Sequence, residues 1–457
     1  GDLMKGIILA QGLGKKMWPY SDHWQKCALP VGNKGNILRL TDILETLGVE
    51  KIKIVIAYKS AQVKYLLKDK NLEYIEAPIN GTADALLAAI EEQEASIVVY
   101  GDIIVDKEDI SRCVDKFNDT KCPVMLYKPL DGGEQSIDWI CCNVAEDTVL
   151  SLYGHPRPHY VNARVGGVFV LDKRVIPYLK ANPGYMKNVP VGGMPPEQKE
   201  LEQSLQMMIE DGEKILGVKA RYFLIDLDKP WHLMDANKAI IERDVAGLAE
   251  DDIHPSAKVH PSAIIEGKIR IGENSYIGKN VIIKGNVIIG NNTSIDYGAI
   301  IEGNVIVGNN TAINDYCKIA SYTTIGDWNR IGYNAEVQGI TFEGVSITHG
   351  CEIYGVVGQR TDIAAGCLVG VLRFDDGFST PRIKGRRELG NPHTNAVFLG
   401  DHSRTGVGNI FFPGVRVGKN CAIGPGAIVS EDIPSGSLVI VRQSQEIKPW
   451  GPNRYGW

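Results

Sequence analysis

Between Ile253 and Val337 every sixth position is a β-branched aliphatic, fifteen in succession without exception, from Ile253, Val259 and Ile265 through Ile295 to Ile331 and Val337. A period of six is neither the 3.6 of an amphipathic helix nor the 2 of one long strand. It predicts short strands joined by turns, with one inward anchor per turn. Glycine often follows the anchor, as in Ile271-Gly272, Ile277-Gly278, Ile289-Gly290 and Ile331-Gly332, where a corner needs a permissive backbone. The element predicted is a β-solenoid. With three hexapeptides per coil the fifteen anchors make five coils, each rising about 4.8 Å. The ladder alone is equally the pattern of an inert spacer or an assembly rod.

After Val337 the ladder loses phase, since Glu343 takes the next slot, and it resumes at Ile347 and Ile353 before slipping again to Val357, Ile363 and Val369. Residues 372–395 carry no ladder, are rich in Gly and Pro, and bring Arg382, Lys384, Arg386 and Arg387 close together, so they read as an excursion out of the coil. The period returns at Leu399, Phe411, Val417, Ile423 and Val429, with Thr405 as the odd member. The solenoid therefore spans 253–441. An aromatic tail over 442–457 is expected either to cap the open end of the coil or to be disordered.

The first half has a different pattern. Apolar runs at Met4 to Ala10, Lys51 to Tyr58, Ser96 to Tyr100 and Pro123 to Tyr127 alternate with helical periodicity at Asn36 to Leu47, Ser60 to Leu67 and Thr82 to Glu92. Such alternation predicts a doubly wound (Rossmann-like) α/β domain over 4–229, with its ligand at the carboxyl ends of the strands. A helical segment from Leu233 to Leu248 then reads as part of a linker over 230–252.

Composition narrows the function classes. A net charge of -6 with 23% charged residues gives no electrostatic footprint for a nucleic acid or a membrane surface. No apolar run approaches the length of a membrane-spanning helix. Nine cysteines are scattered, only Cys141 and Cys142 are adjacent, and no CxxC pair exists to hold zinc. A reducing, cytoplasmic setting is the expectation.

Candidate chemistry gathers at the strand ends. Leu9-Ala10-Gln11-Gly12-Leu13-Gly14-Lys15-Lys16 follows the first strand, and Lys26 lies shortly beyond. Two glycines let backbone N–H groups close on phosphate oxygens while lysines supply countercharge, although on spacing alone this is also a generic turn. Asp102 directly follows the strand ending at Tyr100, and Asp226 ends a later one. Two such carboxylates suit Mg²⁺ held between reacting phosphates; each is equally a helix cap.

Together these residues carry a resemblance. Leu9-Ala10-x-Gly12-x-Gly14-x-Lys16-Met17-x-Pro19, then Lys26 and Leu29-Pro30-Val31, is similar to the signature of the sugar-1-phosphate nucleotidylyltransferases. Asn80-Gly81-Thr82-Ala83-Asp84 resembles that family's second nucleotide loop, Gly101-Asp102 its first metal site, and Asp226 with Pro230-Trp231 and Asp235-Ala236-Asn237 its second metal region. The resemblance implies attack of a phosphorylated sugar-like acceptor on the α-phosphorus of a nucleoside triphosphate (NTP), a reaction that needs positioning and charge neutralisation. It assigns Gly12 and Gly14 to the phosphate cradle, Lys16 to pyrophosphate, Lys26 to the attacking and α-phosphates, Gly81 and Thr82 to the nucleotide, Asn162 to the sugar, and Asp102 and Asp226 to Mg²⁺.

The sequence also departs from that pattern. Lys16 replaces an arginine, Gln11 an alanine, and Gly154-His155-Pro156 a Glu-Lys-Pro motif that contacts the sugar. Glu76 stands where uridylyl and thymidylyl enzymes carry a base-reading glutamine. A carboxylate only accepts hydrogen bonds, so Glu76 is expected to favour guanine, unless it is simply a surface residue beside Pro78.

The second half resembles the left-handed parallel β-helix of hexapeptide-repeat acyltransferases, and the two halves together resemble the bifunctional sugar-1-phosphate nucleotidylyltransferase/acetyltransferases. That likeness implies a homotrimer and acetyl-CoA held by basic residues, here Lys384, Arg386, Arg387 and Arg404; if acyl transfer is retained, the imidazole of His349, just upstream of a phase slip, is the candidate general base. Val371 and Thr394 replace an asparagine and a lysine of that site, which leaves a trimerisation scaffold as the competing role. A non-catalytic paralogue that binds nucleotide sugars is the competing reading of the whole chain.

Overall fold

The computed structural model describes residues 4–57, 60–131, 135–188 and 197–452. Two compact units meet in the sequence between Ala249 and Glu250.

The first unit is built on a nine-stranded sheet. Its strands in chain order are β1 (Lys5–Leu9), β2 (Ile52–Ile56), β3 (Glu73–Glu76), β4 (Ser96–Tyr100), β6 (Val124–Pro129), β7 (Ile140–Ala145), β8 (Thr148–Gly154), β9 (Ala163–Leu171) and β10 (Leu216–Lys219); β5 (Ile103–Val105) pairs separately with β11 (Leu224–Asp226). The spatial order is β3-β2-β1-β4-β9-β6-β10-β8-β7. Strands β3, β2, β1 and β4 are parallel, and β9 enters antiparallel to both β4 and β6, so the sheet is mixed. Strands β1, β2 and β9 are buried throughout, as expected for strands covered on both faces. The helices are α1 (Asn36–Thr46), α2 (Ala61–Leu66), α3 (Thr82–Ala89), α4 (Lys107–Thr120), α5 (Ile176–Lys180), α6 (Leu201–Glu210) and α7 (Pro230–Asp244).

The expected linker over 230–252 differs from the observed structure. Trp231, Leu233, Met234, Ala236, Ile240 and Ile241 of α7 are buried, and the Asn237 side chain accepts a hydrogen bond from the Gly32 amide at 3.0 Å. That apolar face commits α7 to the first unit. At its start the His232 Nδ1 accepts from the Asp228 and Lys229 amides at 3.2 and 3.1 Å, which satisfies helix-end donors.

The second unit is a left-handed β-helix of parallel rungs. Ile253 pairs with Ile271, Ile271 with Ile289, and Ile289 with Val307, a coil of 18 residues and three hexapeptides. Anchors from Ile271 to Val337 are all buried, whereas Ile253 and Val259 are exposed because the first coil has no rung beneath it. The phase slip has a structural cause. Glu336–Thr341 runs as one strand through Gly339 (φ 126°), and Val337 pairs with Ile353, a coil of 16 residues. One corner has been omitted, which puts Glu343 on the surface. Gly355 pairs with Val397 across 42 residues, 24 more than a regular coil and the length of the excursion 372–395. Within the excursion Arg382–Ile383 pairs with Arg386–Arg387 as a short hairpin. Residues 442–450 of the tail are exposed; its last aromatics, Tyr455 and Trp457, lie outside the described residues.

Candidate active site

A cleft of about 450 Å³ opens at the carboxyl ends of β1 and β4, where a doubly wound sheet places ligands. Leu9, Ala10, Gln11, Gly12, Lys16, Lys26, Gly81, Thr82, Asp102 and Asp226 all line it. Gly12 has open space where a Cβ would stand, and Gly14 takes φ 61° against the Lys26 side chain before the turn Lys15–Met17. The Gln11 amide is turned away, donating to the Ala77 carbonyl at 2.6 Å and so tying the two candidate nucleotide loops together. Gly81 has φ 115°, and a Cβ there would lie 2.4 Å from the Lys199 carbonyl oxygen.

The carboxylates are fixed by backbone. The Leu227 amide donates to the Asp102 carbonyl at 2.9 Å, Asp226 pairs with Ile103, and Asn36 donates to the carbonyls of Gly101 and Ile103 at 2.9 Å each. Lys26 Nζ lies 2.8 Å from Asp102 and 3.8 Å from Asp228, and Lys16 lies 3.8 Å from Asp228. Burial opposes the Lys26 charge, but Asp102 and Asp228 prevail and raise its pKa. Burial also opposes the Asp228 charge, and Lys26 with Lys16 outweighs it, holding that carboxyl below the ordinary range. Asp226 is pushed up to about 6 by burial against the pull of Arg164.

Among the described residues no group of three or more His, Cys, Asp or Glu converges as a ready-made cage. Two carboxylates at adjacent strand ends do fit Mg²⁺, which takes one or two from protein and the rest from phosphates and water.

Several of these residues were not singled out by sequence reasoning. Arg164 on β9 is fully buried, donates to the Leu224 carbonyl at 2.7 Å, faces Asp226 at 3.4 Å and stacks 4.7 Å from the Trp139 ring. Its signal was a single charge between the apolar residues Ala163 and Val165. Asp228, Trp139, Tyr100, Glu200 and Glu202 also line the cleft. The Thr82 hydroxyl donates to Glu200 at 3.1 Å and the Tyr100 hydroxyl to Glu202 at 2.6 Å.

Other expected residues stand elsewhere. Glu76 is exposed, 3.8 Å from Lys64 and outside the cleft lining. Asn162 is occupied in bridging to the backbone of Val144, accepting from its amide and donating to its carbonyl at 3.0 and 2.8 Å, and does not line the cleft. His155, at the replaced Glu-Lys-Pro position, does line it, with Nδ1 donating to the Ile137 carbonyl at 2.9 Å. In the second unit His349 is exposed with its ring 5.3 Å from Tyr333, and Lys384, Arg386, Arg387 and Arg404 are exposed. Thr394 is fully buried and donates to the Ser379 carbonyl, so it serves the turn Pro392–Asn395.

Comparison with known proteins finds similarity along both halves of the chain. Residues 5–188 match the nucleotidyl transferase family model and residues 250–341 the GMPPB C-terminal domain model. A bifunctional sugar-1-phosphate nucleotidylyltransferase/acetyltransferase of Sulfurisphaera tokodaii is 25% identical over 95% of this chain and 99% of its own length. The bifunctional protein GlmU of Methanocaldococcus jannaschii is 26% identical over 96% and 98%. Among solved structures, a putative glucose-1-phosphate thymidylyltransferase from Bacillus anthracis covers 53% of this chain and 96% of its own at 21% identity and TM-score 0.44. No described helix is long and apolar enough to cross a membrane.

Proposed function

We propose that this chain, which resembles bifunctional sugar-1-phosphate nucleotidylyltransferase/acetyltransferases along nearly its whole length, transfers a nucleoside monophosphate from an NTP to a phosphorylated sugar-like acceptor. The observation that carries this reading is the convergence of Lys16, Lys26, Asp102, Asp226 and Asp228 with the backbone of Gly12 and Gly81 in one cleft. The first loop receives the triphosphate on its N–H groups. Lys16 faces the leaving pyrophosphate, and Lys26 gathers the acceptor phosphate and the α-phosphate. An acceptor oxygen attacks the α-phosphorus in line, forming a new P–O bond as the bond to pyrophosphate breaks. No proton needs to move, so the gain comes from positioning and charge. Asp102 and Asp226 would hold a Mg²⁺, which when bound neutralises phosphate oxygens. The retained carboxylate pair favours an enzyme over a purely structural paralogue.

For the second unit we propose a trimerising β-helix in the cytoplasm. Where the resembling acyltransferases carry an asparagine and a lysine this chain has Val371 and the buried Thr394, so acetyl-CoA is expected to give little thiol release. The test of the first unit is pyrophosphate release with each NTP, Mg²⁺ and a panel of phosphorylated sugars and polyols, repeated with Asp102→Ala. Release from no pairing would refute the enzyme reading. Equilibrium sedimentation at about three times the 50.0 kDa chain mass would support the trimer.

A further inference from the structure

One wall of the cleft carries acid without a cation. Asp102 has Lys26, Asp226 has Arg164, and Asp228 has Lys16 and Lys26 within 4 Å. Glu200 and Glu202 also line the cleft, and among the described residues neither has an ion-pair partner. The nearest lysine in sequence, Lys199, turns its ammonium to Asp84 at 3.5 Å. Glu202 is 1% exposed; its Oε1 accepts from Tyr100, while its Oε2 is buried with no hydrogen-bond partner. Glu200 accepts only a neutral hydroxyl, that of Thr82. The wall is held in place, because the Lys199 amide donates to Asn80 and the Ala83 amide to Lys199, and the Leu201 amide donates to Thr82 Oγ1 at 2.8 Å.

Two carboxyls on one wall, Glu202 buried and Glu200 half-buried, repel each other unless one takes a proton or a cation arrives. Burial first, and then Glu200, raise the Glu202 pKa to about 8, and burial raises that of Glu200 against the Thr82 hydrogen bond. A lone pair left unmet in such a place carries a large desolvation cost. An ammonium supplies both the missing charge and up to three donors.

We propose that Glu200 and Glu202 receive an ammonium group of the acceptor, so that the preferred substrate is a phosphorylated sugar-like molecule bearing a free primary amine. This rests on the nucleotidylyl-transfer reading. Lys26 gathers the acceptor phosphate at one side of the cleft, while the acidic wall takes the amine. An N-acyl group would bring no charge and a bulkier body, and a hydroxyl would bring a single uncharged donor. Sites built around a specific donor reject analogues that lack it by large factors.

The test uses the full chain with a hexosamine 1-phosphate carrying the free amine, its N-acetyl derivative and the matching hexose 1-phosphate, under one NTP. The expected result is a kcat/KM for the amine at least about tenfold above both others, with Glu202→Gln reducing that ratio to within about threefold. Glu200→Gln provides the same reading if Glu202→Gln does not fold. Preference for the N-acetyl or hydroxyl acceptor, or an unchanged ratio in both folded variants, would overturn the proposal. Should no acceptor release pyrophosphate, the nucleotidylyl-transfer reading fails and calorimetry decides the wall by itself. Tenfold tighter binding of the amine than of the hydroxyl phosphate would support it, and equal affinity would overturn it.

Discussion

Replacing Arg164 by Met tests how the Asp226 carboxylate is held. The guanidinium is 2% exposed, makes a charged hydrogen bond to the Leu224 carbonyl and sits 3.4 Å from Asp226. A hydrogen bond from a charged group is worth about 1.5–3 kcal/mol, and removing one partner of a buried ion pair costs about 3–5 kcal/mol, mainly through the charge left behind. Asp226 keeps 21% of its side chain in solvent, and Met recovers part of the packing on Trp139, so the lower end applies: about 3 kcal/mol. With a urea slope of about 3 kcal/mol/M, the unfolding midpoint of the first unit should fall by about 1 M. Because Asp226 is also freed to turn, kcat/KM for pyrophosphate release should drop about 100-fold, with more Mg²⁺ needed for half-maximal rate. Arg164→Lys should recover part of the stability and little of the activity, since a point charge cannot serve Leu224 and Asp226 as a fork does. A midpoint within 0.2 M and a kcat/KM within threefold of wild type, on that same scale of about 1 M, would show that Arg164 does not position Asp226.

Four further outcomes follow. Glu202 is held above its ordinary value of 4.5, so its contribution to stability is present below pH 4.5 and is lost as pH rises through about 8. His232, held down by burial, opposes this only below its ordinary 6.5; ligand-free protein should therefore unfold more easily at pH 8 than at 6.5 in urea titrations, and Glu202→Gln should flatten the difference. Gly81→Ala, at φ 115° and 2.4 Å from Lys199, should cost about 1–3 kcal/mol and raise KM for the NTP in steady-state assays. In the β-helix, Ile295→Ala at 0% exposure should cost about 2–5 kcal/mol by denaturant unfolding, whereas Ile253→Ala at 41% should stay under about 1 kcal/mol. Glu76→Gln should leave the ranking of NTPs in a pyrophosphate-release panel unchanged, because Glu76 stands outside the cleft.

The hexad ladder was legible because its physics is local. One anchor per corner repeats wherever a rung must be filled, and Ile253, Ile271 and Ile289 fall in register as the spacing requires. The phase slip at Val337 was visible, but its cause, a corner passed through Gly339, depends on pairing with Gly355 and could not be read from either glycine alone. In the first unit β1, β2 and β4 showed as apolar runs. Strand β9 did not, because Gly166 and Gly167 interrupt it. Those glycines are there for neighbours distant in sequence: a Cβ on Gly166 would lie 2.8 Å from the Leu126 carbonyl, and one on Gly167 2.7 Å from Ile103. Likewise α7 read as a linker, since nothing in its periodicity names the sheet it packs on.

The site divides along the same line. Gly12, Lys16, Lys26, Gly81 and Asp102 sit in short motifs whose backbone geometry makes the site, so spacing reveals them. Arg164, Glu200 and Glu202 act through partners 62, 118 and 102 residues away, namely Asp226, Thr82 and Tyr100, and no local pattern encodes that. Glu76 and Asn162 show the converse. Both occupy plausible motif positions, yet one faces Lys64 and the other the backbone of Val144. Lys16, Lys26, Asp102 and Asp226 thus line the cleft together, while Glu76 and Asn162, expected to read the base and the sugar, do not. Glu200 and Glu202 do line it, and the proposed amine preference would put substrate choice on α6 and its N-terminal approach rather than on Asn162.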